Sequence, residues 1–503
     1  VHRPSRPEAE FAAELDAVRP DLSEPYAAAL PGARAAVLSR LWRALAHEPL
    51  PWVEWREEGR DGLRVRLADG RRLEGPSADP YATTAYAAEV RLDGRPYDRP
   101  ERLMTDLGVR HGPAFAAELA GSAASLALSR AGRRVQERPA ETGWEWEQRV
   151  VDGHPYHPNC RSRPGFSVAE QLAYGPEHGQ PVELRFAAVD DCLVTGAWPD
   201  FLRDGGRVLI PVHPWQADHV LDTPSHKGPT AHPLMSLRTL ALPDGPHVKT
   251  ALSARLTSSV RDISVYSITT SEAVSAFMAS VAARTDGLLD VTRTLGAATA
   301  GSPDLAAVVR EAPETYARGG ERVVPVAALA TTELPRSARW FARFTRLALT
   351  ACLRLLDLGV ALEAHGQNLL VVLSPAGDPV RLVYRDLADI RVSPARLARH
   401  GIPAPQLSGR IVTDDETALR RKLFGSLVGG SLGATAGSAA VLREALADAV
   451  RDLPRTPDLV ALLEEPLPTK ALTLMRLSPE TPGDLWARLP NPVSGEGAEG
   501  RSF

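Results

Sequence analysis

Glu363-Ala-His-Gly-Gln-Asn368 runs directly into Leu369-Leu-Val-Val-Leu373. A Ser374-Pro-Ala-Gly-Asp-Pro379 segment follows, and then Val380-Arg-Leu-Val-Tyr384-Arg385-Asp386. The unbroken apolar run reads as a buried strand, the Pro/Gly/Asp segment as a turn, and the alternating run as a second strand. A hairpin closed at that turn sets the start of the first strand beside the end of the second. Asn368 and Asp386 then share one end of the ladder, with His365 and Glu363 just upstream. An amide oxygen and a carboxylate are hard ligands suited to Mg²⁺, which usually reaches a protein together with a nucleotide's phosphates. The stretch therefore predicts an ATP–Mg²⁺ corner. A core hairpin with a polar turn is the plainer alternative, but a buried His-Gly-Gln-Asn sequence is costly without partners.

The chain has 503 residues, 44% of them hydrophobic and 24% charged, which are ordinary values for a globular protein of two to four domains. A net charge of -4 gives no reason to expect nucleic acid or an anionic membrane as partner. No run of 18 apolar residues predicts a membrane span, and Val1 to Pro7 lacks the apolar core of a signal peptide. Cys160, Cys192 and Cys352 are odd in number and far apart, so a disulfide framework is not expected and a cytoplasmic location is. Only four of the 58 basic side chains are lysines, at 227, 249, 422 and 470. In such a chain the placement of a lysine is informative.

Three regions follow from composition and periodicity. Residues 1–140 read as a helical cap, with helices at 8–18, 26–47 and 114–130 and one small strand at 63–67. Residues 141–335 read as a mixed, sheet-centred region. It carries eight of the thirteen histidines, predicted strands at 182–189, 208–212 and 260–269, and a helix over 297–320. Residues 336–503 return to helix, at 337–358, 417–427, 439–453 and 458–463, around the opening hairpin. An irregular segment follows them, and 495–503 reads as a disordered tail. The fold class is α+β.

Three further motifs carry candidate chemistry. In Gly153-His-Pro-Tyr-His-Pro-Asn-Cys-Arg-Ser-Arg163, the prolines hold the backbone extended, and His154, His157, Arg161 and Arg163 can converge on a carboxylate or phosphate. A zinc site through His154, His157 and Cys160 and a structural loop are the competing readings. Val212-His-Pro-Trp-Gln216 follows a strand and suggests a cleft edge, although His213 reads equally as a core histidine. Ser236-Leu-Arg-Thr239, Lys249 and Leu256-Thr-Ser-Ser-Val-Arg261 assemble hydroxyls, guanidinium groups and an ammonium suited to triphosphate oxygens. Lys249 as an isolated surface lysine is the alternative there.

Taken in order, these segments resemble the NIS synthetases, the siderophore synthetases independent of nonribosomal peptide synthetases, of the aerobactin-synthetase type. The resemblance covers roughly residues 150–390. It rests on His154-Pro-Tyr-His-Pro158, Arg163-x-Gly-Phe-Ser167, Val212-His-Pro-Trp-Gln216, Ser236-x-Arg-Thr239, Lys249, Thr257-Ser-x-x-Arg261, Glu363-Ala-His-x-Gln-Asn368 and Arg385-Asp386. It implies a cupped-hand architecture: a helical thumb (1–140), sheet-containing fingers (141–335) and a mostly helical palm (336–503) with the metal-binding hairpin. Ser236, Arg238, Thr239, Lys249, Thr257, Ser258, Arg261 and His365 would then bind ATP, with Lys249, Arg261 and His365 as the catalytic groups. Asn368, Asp386 and Glu363 would hold Mg²⁺, and His157, Arg161 and Arg163 would face the acid substrate. Arg161 stands where the family commonly has Lys, and the two are not interchangeable at a tight anion site.

The resemblance further implies a ligase that adenylates a carboxylate of citrate or a related di- or tricarboxylic acid. The acyl group would pass to an amine or alcohol in siderophore biosynthesis, with AMP and pyrophosphate released and a homodimer as the usual assembly. A small-molecule kinase is the rival enzyme, since His365, Asn368 and Asp386 mimic a kinase catalytic loop and its metal aspartate. That loop, however, contains no base aspartate, and no Gly-rich loop with a following strand lysine occurs near the N-terminus. A non-catalytic binding subunit is the second alternative.

Overall fold

The computed structural model describes residues 8–135, 138–257 and 259–494. Its architecture is mixed α+β. The hairpin forms as its sequence dictates. Leu369–Leu373 pairs antiparallel with Pro379–Tyr384, with Leu369 opposite Tyr384, and Arg385 N donates to Asn368 O at 3.0 Å. Leu289–Val291 extends this sheet in parallel beside Pro379–Tyr384, and Arg322–Pro325 closes its other edge. All five residues of Leu369–Leu373 are buried, as expected of a central strand without alternation.

The helix Ala338–Leu358 covers this sheet. Trp340, Phe341, Phe344, Ala348, Leu349, Cys352, Leu355 and Leu356 recur at three- and four-residue spacing and are all buried. Each large apolar side chain buried in that stripe contributes roughly 1.5–3 kcal/mol. The helix stops at Gly359, whose φ of 109° suits glycine and where a Cβ would lie 3.0 Å from Leu397 N and Ser393 O. The partner helix Ala439–Ala449 packs on its outer side.

The second large element is a nine-stranded antiparallel sheet in the preceding region. Its middle runs Thr294–Ser302, Leu305–Arg310, His247–Thr250, Thr239–Ala241, Ser225–Pro233 and Val182–Val189. Two expectations fail here. Residues 260–269 are not a strand beyond Ser259–Arg261: Ser264 caps a helix, Val265–Ala282, by accepting from Ser267 N at 3.2 Å. Residues 297–320 are not a helix. Ala297, Ala298, Ala300, Ala306 and Ala307 lie in the hairpin Thr294–Ser302/Leu305–Arg310, where Ala297 and Ala306 leave room for Ile268 of that new helix. Packing between the elements overrides local propensity in both cases.

The N-terminal region holds more strand than the single one expected at 63–67. Helices Glu8–Val18, Ser23–His47 and Gly112–Ala131 are present, but a five-stranded antiparallel sheet occupies Val53 to Tyr97. Its strands are three to seven residues long and separated by Gly and Asp, too short for periodicity to reveal more than Gly62–Leu67. The expected irregular C-terminal segment also contains a ladder, Leu467–Lys470 with Trp486–Leu489. Glu48 ties the two ends of the chain together by accepting from Thr473 N and Leu474 N at 3.1 and 2.7 Å.

The hairpin is also fastened to the region before the nine-stranded sheet. Arg385 Nη1 lies 2.6 Å from Glu147 Oε1, both side chains being 2% exposed. Removing one partner of such a pair strands a buried charge, at a cost of about 3–5 kcal/mol. Arg385→Met is therefore expected to lose about that much stability in urea denaturation. Adding Glu147→Gln should recover part of the loss, and additive losses would contradict the pairing.

Candidate functional site

The His365 loop is held from two sides. Ala327 N donates to Gly366 O at 2.9 Å, and a Cβ on Gly366 would lie 2.9 Å from that same nitrogen, so the approach requires glycine. On the other side Ser426 Oγ accepts from Ala364 N at 2.9 Å, and Ser431 Oγ donates to Ala364 O at 2.6 Å. Tyr384 OH accepts from Glu363 N at 3.2 Å, which binds the loop to the end of the hairpin. His365 Nδ1 accepts from Gln367 N at 3.3 Å, which places the ring proton on Nε2. Burial lowers its pKa, against the pull of Glu363, so the ring is a neutral Nε2–H donor.

Asp386 ends the second strand with φ at 69°, a left-handed conformation that aspartate tolerates better than most residues. Lys249 Nζ, from the nine-stranded sheet, donates to both of its carboxylate oxygens at 2.7 Å. Desolvation acts to raise the carboxyl's pKa, but Lys249, Arg310 and Arg238 together hold it well below the usual carboxylate range. Lys249 itself is lowered to about 8, by burial first and by Arg238 and Arg310, while Asp386 opposes the shift. Arg238 and Arg310 are each lowered to about 10 by burial and by neighbouring cations. Arg261, also lowered by burial, feels Asp386, Glu363 and Asp389. Four cations thus crowd one carboxylate, a charge surplus suited to a polyanion.

Of the residues assigned to ATP, the structure brings Arg238, Lys249, Arg261 and His365 into this cluster. Arg238 donates to Arg261 O and, at 2.8 Å, to Asp262 O, which joins the two segments. Ser236 Oγ accepts from Thr239 N at 3.2 Å, and Thr239 is buried opposite Lys249 in the strand pair. Thr257 has a φ of 59° and Leu237 one of 68°. A branched side chain in this region is strained, and such strain concentrates at functional sites. Ser258 lies outside the described residues.

Glu363, Arg161 and Arg163 have protein partners of their own. Glu363 is paired with lysines, as Asp386 is: Lys422 Nζ and Lys470 Nζ both reach its Oε1 at 3.1 Å. Although burial raises its pKa, Lys470, His365 and Lys422 bring it down to about 2. Arg161 and Arg163 do not face an open substrate site. Arg163 donates to buried Glu177 at 3.0 Å, while Arg161 donates to Val151 O at 2.7 Å and to Val150 O and lies 3.7 Å from Glu177. They fix the loop that carries His154 and His157. Zinc fits poorly as well: no group of three His, Cys, Asp or Glu side chains suited to a metal occurs among the described residues.

The sequence reading missed Arg310, Lys422 and Lys470. Arg310 was hidden by the helix expected over its strand. The rarity of lysine was the usable signal for the other two. Three of the four lysines are in this cluster, and only Lys227, paired with Glu183 and 71% exposed, stands outside it.

Residues 142–331 match the family model described as the IucA/IucC family, and residues 338–484 match the model described as ferric iron reductase FhuF-like transporter. No single described helix is long and apolar enough to cross a membrane. The chain is 27% identical over 311 residues to the citryl-spermidine/3,4-dihydroxybenzoyl-citryl-spermidine:spermidine ligase of Bacillus anthracis, covering 48% of this chain and 50% of that one. It is 30% identical over 157 residues to the N(2)-citryl-N(6)-acetyl-N(6)-hydroxylysine synthase of Vibrio mimicus, covering 24% of this chain and 26% of that one. The aligned portions thus span half or less of these two relatives. The crystal structure of the petrobactin biosynthesis protein AsbB from Bacillus anthracis superposes with a TM-score of 0.74 at 20% identity, covering 93% of this chain and 96% of AsbB. ATP-bound aerobactin synthetase IucA from Klebsiella pneumoniae gives 0.71 at 19%, covering 92% and 99%. At these identities the likeness is one of fold.

The Lys249–Asp386 pair makes a measurable prediction. Reductive ¹³C-methylation labels the four lysines, and the Lys249 signal is expected to titrate near pH 8. In Asp386→Asn the pKa should fall further, because the carboxylate is the group that holds the proton on. A rise in the variant would contradict the assignment.

Proposed function

We propose that this chain, a member of the IucA/IucC family through its residues 142–331, is an ATP-dependent ligase. It adenylates a carboxylate of citrate or a related di- or tricarboxylic acid and condenses the acyl group with an amine or hydroxyl in siderophore-type biosynthesis. The observation that carries this reading is the crowding of Lys249, Arg238, Arg261 and Arg310 on Asp386, beside the Nε2–H of His365. Relatives whose names describe citryl amides and citrate ligation supply the acid class.

The nucleotide's phosphates occupy the cationic cluster. Lys249, Arg238, Arg261 and Arg310 offset the charge that grows on the phosphate oxygens as a carboxylate oxygen attacks the α-phosphorus and pyrophosphate leaves. His365 Nε2–H donates to an anionic oxygen. Carrying its proton there, the ring does not serve at Nε2 as the base that deprotonates the acceptor. The acceptor nitrogen or oxygen then attacks the acyl carbon, loses its proton, and AMP departs.

Asp386, ionised, and Asn368, whose amide makes one long contact with Glu363 O at 3.5 Å, fit Mg²⁺, which takes one or two protein oxygens alongside phosphates. When bound, the ion would neutralise phosphate charge. Glu363 holds Lys422 and Lys470 beside His365.

Hydroxylamine trapping with ATP and a panel of di- and tricarboxylic acids tests the reading. Hydroxamate should form with release of pyrophosphate and AMP. Lys249→Met and Arg261→Ala should each lower the rate by roughly 100- to 1000-fold while Mg-free ATP binding weakens less. Release of ADP and phosphate with every acid would instead identify a kinase.

A further inference from the structure

Gln216, the last residue of Val212-His-Pro-Trp-Gln216, is fully buried on the short helix Pro214–His219. Its Oε1 accepts from Ser253 N at 2.8 Å. Its Nε2 donates to Ser253 Oγ and to Asp304 O, each at 2.9 Å. Ser253 Oγ in turn donates to Asp304 Oδ1. A backbone N–H on one side and a backbone carbonyl on the other fix which way the amide points. Both donors and the acceptor oxygen of a buried amide are thus used, which is the condition for keeping such a group in a core.

The residue that Gln216 grips is the one where a strand pair loses its register. Leu252 lies opposite Arg261, but the next pair is Arg255 with Val260, so Ser253 and Ala254 are extra residues on the first strand. A bulge of this kind bends its strand and re-aims the side chains beside it, and bulges are frequent next to active sites. Arg261 adjoins this bulge and feels Asp386 and Glu363 across the site. Side chains alternate between the two faces of a strand, so a slip of one residue here would turn Arg261 away from the phosphates.

Through Asp304 the same amide reaches a second cation-bearing strand. Asp304 lies in the turn between Thr294–Ser302 and Leu305–Arg310, and the latter strand ends on Arg310. Ala251 N donates to Ala306 O at 3.0 Å, so the bulged strand starts out against that hairpin.

We infer that Gln216 is a positioning residue for Arg261. Its amide holds the bulge at Ser253 and Ala254, fixes the register of Leu252–Leu256 against Ser259–Arg261, and ties that pair to the hairpin that carries Arg310. Arg261's part in the chemistry rests on the ligase reading. The inference gives the Val212–Gln216 motif a task that requires no contact with substrate.

A double-mutant cycle of Gln216→Met with Arg261→Ala in the full chain tests this, with hydroxamate formation as the assay. Gln216→Met is expected to lower kcat roughly 10- to 100-fold with a much smaller change in the KM for ATP, because a displacement of about 1 Å is costly at the transition state. In the Arg261→Ala background the same substitution should cost less than about threefold, since the group to be positioned is gone. Equal losses in both backgrounds, or a loss confined to KM, overturn the inference. Hydrogen exchange read by mass spectrometry gives a second measurement that needs no turnover. Residues 252–261 should exchange roughly tenfold faster in Gln216→Met while residues 369–384 keep their wild-type rates. Unchanged exchange at 252–261, or equal acceleration in both segments, also overturns it. If Gln216→Met does not fold, as thermal unfolding will show, Ser253→Ala carries the same cycle with a smaller loss. Absence of hydroxamate with the wild-type protein sinks the ligase reading, and the exchange rates then decide whether Gln216 holds the bulge.

Discussion

The Lys249–Asp386 ion pair joins two sheets that have no strand in common. Lys249 belongs to the nine-stranded antiparallel sheet, and Asp386 to the end of the hairpin in the four-stranded sheet. Two charges brought this close and desolvated need each other, because leaving either unpaired costs several kcal/mol. The pair therefore fixes how the cation-rich strands meet the His365 loop. Arg385, one residue earlier, pairs with buried Glu147.

A second constraint recurs at four buried histidines. His154, His157, His213 and His365 each accept, at Nδ1, the backbone N–H two residues on, at 3.2, 2.9, 3.1 and 3.3 Å. In the first three a proline follows the histidine, holding its backbone extended. The local turn thus fixes the tautomer in each case, with the proton on Nε2. Burial keeps the rings uncharged by lowering their pKa values. Four neutral donors are produced by one backbone device, and this chemistry favours holding anionic oxygens over moving protons.

Much of the site was legible because its parts are local. The hairpin, its buried strand and the shared end of Asn368 and Asp386 follow from periodicity and turn residues over a short stretch. The long helix Ala338–Leu358 follows from an apolar stripe closed by Gly359. Illegible were the elements whose form depends on a distant partner. The alanines of Thr294–Ser302 read as helix until helix Val265–Ala282 is laid over them, and Arg310 was lost with that strand. Arg161 and Arg163 looked like substrate ligands because nothing nearby in sequence announces Glu177 as their counter-charge.

The sequence by itself determined the kinds of chemistry present: the hydroxyl, guanidinium and ammonium groups, the hairpin that sets an amide beside a carboxylate, and the scarcity of lysine that made each one informative. Only the tertiary structure decided which charges are spent on one another. Ion pairing depends on distances across the fold, and Coulomb energy in a desolvated site changes steeply with them. Glu363 and Asp386 are both carboxylates flanking one loop-and-hairpin unit, yet two lysines from the C-terminal region claim the first. A single lysine from another sheet holds the second. Each carboxylate is thus paired with lysines distant from it in sequence.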